Sequence, residues 1–326
     1  MANFVTRAYN KIELNSEYQK ITKISSEDRL KDEIFYYKNI PEKYKSFYPR
    51  FIDSYTNQDN HCMELEFYPY DNLGQKMFSS SIELNSWRNI ADKISSILDQ
   101  FDNSTIEMDT TSNPLYEMTI TKTNREYNNL INNFKEFKHL STKSKIVINN
   151  KEYDNFHVIW GKVQNAIVKL FSDVDFAFYH GDMCFSNILY CENKNLNELS
   201  LKLIDPRGSF GSCPVCYGNR YYDLAKLKHS YCSGYEYIIY DRFELSYNIR
   251  LGKIDYKFKS DNTPILRNIF NKKLLNNIDK YLKTLLVESC IYVGMCARHY
   301  DSIERQIIMY CKGITLMNEF LDIYEN

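Results

Sequence analysis

Near the C-terminus, Ile303, Ile307, Tyr310, Ile314, Met317, Leu321 and Tyr324 recur at spacings of four and three. That period lays an apolar stripe along one helix and turns it toward a core. The N-terminal end has another rhythm. "TRAYNKIELN" and "YQKITKIS" read as short strands with "NSEY" as the turn between them, and "RFIDSY" and "HCMELEFY" read as two more. Between the two pairs, "SSEDRLKDEIFYYKNIP" carries helix punctuation. Ser25 and Asp28 suggest a capping box, Pro41 follows the end, and Leu30, Glu33, Ile34 and Tyr37 share a face.

"PYDNLG" is a turn-rich connection. A boundary is expected there, with residues 1–70 as a small β-rich lobe, a hinge near 66–73, and residues 74–326 as a larger lobe. From about 75 to 172 the pattern predicts mostly helix, in segments near 83–102, 115–140 and 153–172. Strands return at "DFAFY", "NILY" and "LKLID", and "FELSYNIRLGKIDYKF" suggests a hairpin. The predicted class is α+β, a small β-rich lobe followed by a large mainly helical one.

Composition narrows the function classes. At 44% hydrophobic and 25% charged, 326 residues bury a sizeable core without disulfides or metals. Lys and Arg number 41 against 42 acids, so no global basicity points to nucleic acid or a membrane surface. The 28 tyrosines lack the basic interleaving of a base-stacking platform. The apolar run "TLLVESCIYVGMCA" is broken by Glu288 and is too short to span a bilayer. "MANFVTRAYN" has no apolar core of a secretion signal, and the nine cysteines are irregularly spaced. A reducing cytoplasm is the expected setting. Cys213 and Cys216 form "CPVC", but no second CxxC completes a zinc site, so they read as loop thiols.

The chemistry concentrates in "FYHGDMCFSNILY", residues 178–190. Phosphoryl transfer to a hydroxyl needs a carboxylate facing the attacking oxygen, oxygen ligands for Mg²⁺ and a cation on the phosphates. Asp182 and Asn187 lie five positions apart, across a loop that leaves a strand-like run. Asp205 follows in "LKLIDPRG", ending another apolar run, where a carboxylate is well placed as a second metal ligand.

On these residues the chain resembles the protein kinase-like small-molecule phosphotransferases, the aminoglycoside phosphotransferases and choline kinases among them. "HGDMCFSN" looks like their catalytic loop, and "LIDPRG" like their metal-binding segment. The resemblance implies a bilobal kinase-like fold with ATP and Mg²⁺ as cofactors. It implies Asp182 as the catalytic base, Asn187 and Asp205 as metal ligands, and His180 as the support of the loop. Asp223, in "NRYYDLAKLKHS", would brace that loop from a helix start. The wider pattern "GDMCFSNILY…LIDPRGSFG…NRYYDLAKLKHSYCSGY" looks like phosphotransferases of bacterial capsule or lipopolysaccharide gene clusters. That suggests a sugar, polyol or amino-alcohol acceptor. A choline- or ethanolamine-type acceptor would favour an aromatic and acidic pocket, and an aminoglycoside-type kinase would also show an acidic acceptor cleft. A nucleotide-binding pseudokinase scaffold is the reading from another class.

A kinase-like N-terminal lobe should pair a phosphate-binding lysine with a helix glutamate. Lys23 and Glu33 fit, because Glu33 lies on the apolar face of its helix, where an unpaired charge is costly. Lys20, three residues earlier and so on the other strand face, is the competing choice. For adenine, the carbonyl of Glu66 and the amide of Tyr68 are the hinge candidates. No glycine precedes Gly74, so the turn with Asn15 and Ser16 would have to serve as the phosphate loop. Arg207 either pairs with a structural carboxylate, the reading placed first, or binds an anionic substrate group. His229 and His299 read as helix packing or surface residues.

Overall fold

The structure is a computed structural model that describes residues 10–15, 17, 19–78, 82–102, 113–171, 176–193, 198–211 and 216–326. Strands β1 (Asn10–Asn15), β2 (Lys20–Ser25), β3 (Phe51–Asn57) and β4 (Asn60–Glu66) form one antiparallel sheet in the order β1-β2-β4-β3. Helix α1 (Asp28–Asn39) lies between β2 and β3 in the chain and buries Leu30, Tyr36 and Tyr37. Its start differs from the expected capping box. Glu27 is the N-cap without a side-chain bond, and the Ser25 hydroxyl instead accepts from the Glu27 amide at 3.2 Å. That bond closes a tight turn out of β2, which fixes where the helix begins.

After an extended segment, β5 (Asp71–Asn72) and the single turn α2 (Leu73–Lys76) lead into α3 (Leu84–Asp102). α4 (Pro114–Tyr116) runs through a π-helical turn, Glu117–Thr121, into α5 (Lys122–Asn133), followed by α6 (Lys135–Leu140). Next come β6 (Lys145–Ile148), β7 (Lys151–Asp154), α7 (Phe156–Leu170), β8 (Ala177–Phe178), β9 (Ile188–Asn193), β10 (Glu198–Leu203) and β11 (Tyr217–Gly218). The chain ends with α8 (Arg220–Tyr231), α9 (Tyr235–Ile239), β12 (Phe243–Asn248), β13 (Lys253–Phe258), α10 (Thr263–Leu274), α11 (Ile278–Cys296) and α12 (Ile303–Tyr324).

The helical reading of residues 75–172 misses the β6–β7 hairpin. Asn149 and Asn150, both at positive φ, make its two-residue turn, and asparagine tolerates that geometry. The hairpin joins β12–β13 in a sheet ordered β12-β13-β6-β7, so the expected C-terminal hairpin forms and gains a partner. The apolar stripe of α12 is buried from Ile307 to Leu321, and α11 packs beside it. No helix among the described residues is long and apolar enough to cross a membrane.

Two apolar clusters meet at residues 178–185. Tyr179 and Cys184 belong to the cluster built from α5, α7, α11 and α12. Phe178, Met183 and Phe185 belong to the other, built from α1, β4, α3 and α10. Alternate side chains thus anchor the loop into both cores, and packing at crystal-like density leaves it little freedom.

Candidate active site

β8 delivers the chain into this loop. Gly181 sits at φ +81°, where a Cβ would meet the Arg207 Cβ and the Tyr179 ring at 2.7 Å, so only glycine fits. Asp223, in the first turn of α8, accepts from the amides of His180 and Gly181, each at 2.7 Å. Burial pushes the Asp223 carboxyl up to about 7, and the two amides pull against it. His180 is fully buried. Its Nδ1 accepts from the Asp182 amide at 3.2 Å, so Nε2 carries the proton and donates to the Ile204 carbonyl at 3.0 Å. Burial pushes this imidazole down to about 4, which keeps it neutral.

The Asn187 amide nitrogen donates to the Asp182 carbonyl at 2.9 Å, which reserves Oδ1 for an incoming partner. The Ile204 amide donates to the Asn187 carbonyl at 3.0 Å and ties the end of β10 to the loop. Asp205 comes next, at φ +57°, a left-handed conformation that aspartate tolerates better than most residues. The donors offered here are one carboxylate and one amide oxygen. Among the described residues no cluster of three His, Cys, Asp or Glu forms a closed metal cage. That set suits Mg²⁺, which keeps waters and shares its shell with phosphates.

Lys23 Nζ reaches Glu33 at 2.6 Å and is also ion-paired to Asp205. Burial would lower the Lys23 pKa, but Asp205 and Glu33 outweigh it and hold the ammonium charged. Burial likewise raises the Asp205 carboxyl, and Lys23 outweighs it to leave it lowered. Lys20 points elsewhere and pairs with Glu64 at 2.9 Å. Gly208, three residues after Asp205, is pressed against the α1 backbone, and a Cβ there would run into Asp32. Tyr36 of α1 donates to the Tyr179 carbonyl at 2.6 Å, so the helix that carries Glu33 is also bonded to the loop.

The β1–β2 turn lies at the sheet end where Lys20 faces Glu66 and the Gln19 carbonyl accepts from Phe67. That is three residues, roughly 10 Å, along β2 from Lys23. Ser16 lies outside the described residues. Glu66 and Tyr68 bond each other at 3.2 Å, with Arg50 beside Glu66 and Lys202 over the Tyr68 ring. They stand at the connection that follows β4, not in the Asp182 group.

Asp182 is surrounded by cations, of which the sequence singled out Arg207 alone. Lys226 Nζ lies 2.9 Å from Oδ1, and Arg29 lies 3.6 Å from Oδ2. Burial would raise this carboxyl, but Lys226, Arg29 and Arg207 overcome it and hold it well below the usual range. Lys226 was within reach of the sequence, since it falls three residues after Asp223 on the same helical face. Arg207 departs from the structural-pairing expectation. Among the described residues it makes no ion pair. Its guanidinium touches the Met118 sulfur at 3.5 Å and lies 6.0 Å from the Tyr222 ring centroid.

The remaining expectations resolve simply. His229 is buried against Tyr235 and Tyr292, as a packing residue. Cys216 is buried and donates to the Tyr36 carbonyl at 3.6 Å, while Cys213 lies outside the described residues.

No protein-family model matches the chain, and no curated protein matches it. Among solved structures it is similar to a thermostable mutant of the aminoglycoside phosphotransferase APH(4)-Ia in its apo form. The TM-score is 0.50 at 9% identity, covering 92% of this chain and 87% of that one. The fold is protein kinase-like. In this kinase-like fold the β-rich N-terminal part supplies Lys23 and Glu33, and the mainly helical C-terminal part supplies Asp182, Asn187, Asp205 and Asp223.

Proposed function

We propose that the chain is an ATP- and Mg²⁺-dependent phosphotransferase acting on a hydroxyl of a small molecule. One observation carries this reading: a carboxylate, Asp182, lines a cleft from a doubly anchored loop, and its charge acts on Asp205 of the Lys23–Glu33–Asp205 group. Lys23 binds the phosphates, with Glu33 holding it in place. The segment 66–73 is the hinge, and the carbonyl of Glu66 and amide of Tyr68 hold adenine, which backbone groups bind well. Asn187 and Asp205 hold Mg²⁺, which when bound neutralises charge on the phosphates.

In the transfer, the acceptor oxygen forms a bond to the γ-phosphorus as the bond to the bridging oxygen breaks. ADP leaves with the electron pair, and the hydroxyl proton passes to Asp182. A carboxylate held at so low a pKa is a weak base. Its main work is to orient the hydroxyl and to take the proton late, which a loose transition state permits. His180 positions Asp182 through its backbone and never touches substrate.

The sequence pattern of capsule and lipopolysaccharide phosphotransferases supports a sugar, polyol or amino-alcohol acceptor in cytoplasmic surface-polysaccharide biosynthesis. The test is Asp182→Asn. Phosphate transfer should fall by about a thousandfold or more while ADP still binds; turnover near wild type sinks the assignment. Mg-ATP binding without turnover on any acceptor returns the pseudokinase scaffold.

A further inference from the structure

The cleft at Asp182 opens to solvent and has a mainly polar lining. Its charged walls are Arg29, Lys122, Arg207, Lys226 and Arg298 against a single carboxylate, Asp182. Lys23, Glu33 and Asp205 do not line it. Lys226 and Arg29 are matched with Asp182, and Arg298 leans on Glu126 at 3.4 Å, which also pairs with Arg125 at 2.8 Å. Lys122 and Arg207 make no ion pair among the described residues.

Lys122 is the more telling of the two. Burial, then Arg207, Arg298 and Lys226, push its ammonium well below its usual pKa, with Asp182 the opposing charge. It begins α5 directly after the π-helical turn, a local irregularity that recurs at functional sites because it re-aims side chains. Cations gathered around a single carboxylate disfavour one another, and such an arrangement is relieved when a ligand brings further negative charge.

We propose that this cleft takes an anionic acceptor, a small hydroxyl compound that carries a phosphate or carboxylate group of its own. This rests on the phosphotransferase reading and narrows it, setting the cationic amino-alcohols aside. Lys122 and Arg207, with Arg298 beside them, grip the acceptor's anionic group while its hydroxyl faces Asp182. Bidentate guanidinium geometry suits either oxyanion. The cleft has one carboxylate, itself already paired, so choline, ethanolamine and aminoglycosides meet like charge there. The nucleotide's γ-phosphate is a competing source of negative charge, and the test separates the two.

Full-length protein with Mg-ATP is assayed for phosphate transfer, and with Mg-ADP for acceptor binding by calorimetry. The probes are glucose, glucose 6-phosphate, glucuronate, glucosamine, glycerol, glycerol 3-phosphate, glycerate, ethanolamine, choline and kanamycin. The expected result is binding confined to the anionic members, tighter by about tenfold or more than their neutral parents. Glucose 6-phosphate and glycerol 3-phosphate against glucuronate and glycerate decide between phosphate and carboxylate. Lys122→Met should weaken the bound anion about tenfold and leave ATP affinity within about twofold. Stronger binding of a neutral or cationic probe, binding of none, or an equal loss of ATP affinity in Lys122→Met overturns the proposal. Failure of the phosphotransferase reading is seen separately, as Asp182→Asn leaving any measured phosphate transfer unchanged.

Discussion

The ammonium of Lys226 stands 2.9 Å from Oδ1 of Asp182, and both side chains are largely shielded from water. Shielding strengthens the pair and binds the protonation of Asp182 to the presence of Lys226. Replacing Lys226 by Gln should raise the Asp182 pKa, because burial then acts with less opposition. Turnover is expected to fall by about tenfold or more, and the acid limb of the pH–rate profile should move to higher pH. An unmoved profile would show that the pair does not govern the reaction.

Lys23 and Lys20 lie three residues apart on one strand yet have separate partners. Lys23→Met should weaken ATP binding by about tenfold or more, and Lys20→Met by less than about twofold. Calorimetric titration of each variant with ATP measures the contrast, and equal losses would remove Lys23 from the phosphate site.

Much of this was legible in the chain because the residues that act sit in short runs whose spacing is chemical. Asp182 and Asn187 lie within one loop, Asp205 ends a strand, and Glu33 was betrayed by its place on an apolar helix face. Arg29, Lys122 and Arg298 were not legible. Each looks like a solvated surface cation in its own segment. Only the packing of α1, α5 and the turn after α11 brings them to one cleft. The β6–β7 hairpin was missed because its strands are four residues each, too short to outweigh the helical patterns on both sides. Its asparagine pair was the overlooked signal.

His180 ties folding to pH. Its folded pKa is lowered to about 4 from 6.5, so between those values the unfolded chain holds a proton that the folded one lacks. Stability is therefore full above pH 6.5 and declines as pH falls toward 4, by about 1 kcal/mol between pH 7 and 5.5 from this residue alone. His229, also buried and lowered, adds in the same direction. Urea titrations at the two pH values should show the loss, and His180→Gln should reduce it. An identical pH dependence in the variant would place the imidazole in water.

Lys228 and Glu288 form an ion pair at 2.7 Å with both side chains essentially inaccessible, where α8 meets α11. Glu288→Gln should cost about 3–5 kcal/mol, since it strands a buried ammonium. Lys228→Met with Glu288→Leu should recover most of that. Chemical unfolding of the three proteins decides, and equal losses in single and double variants would mean that the pair is not coupled.

Tyr36 gives α1 a second fastening. Swinging this helix outward would break the Lys23–Glu33 contact, the Tyr36 bonds to Tyr179 and Tyr48, and the seat of Gly208 against Asp32 together. At about 1 kcal/mol for each hydrogen bond, the displaced arrangement is scarcely visited at rest. The molecule is built already cocked. Under the proposed reading α1 already holds Glu33 where Lys23 needs it before any ligand arrives.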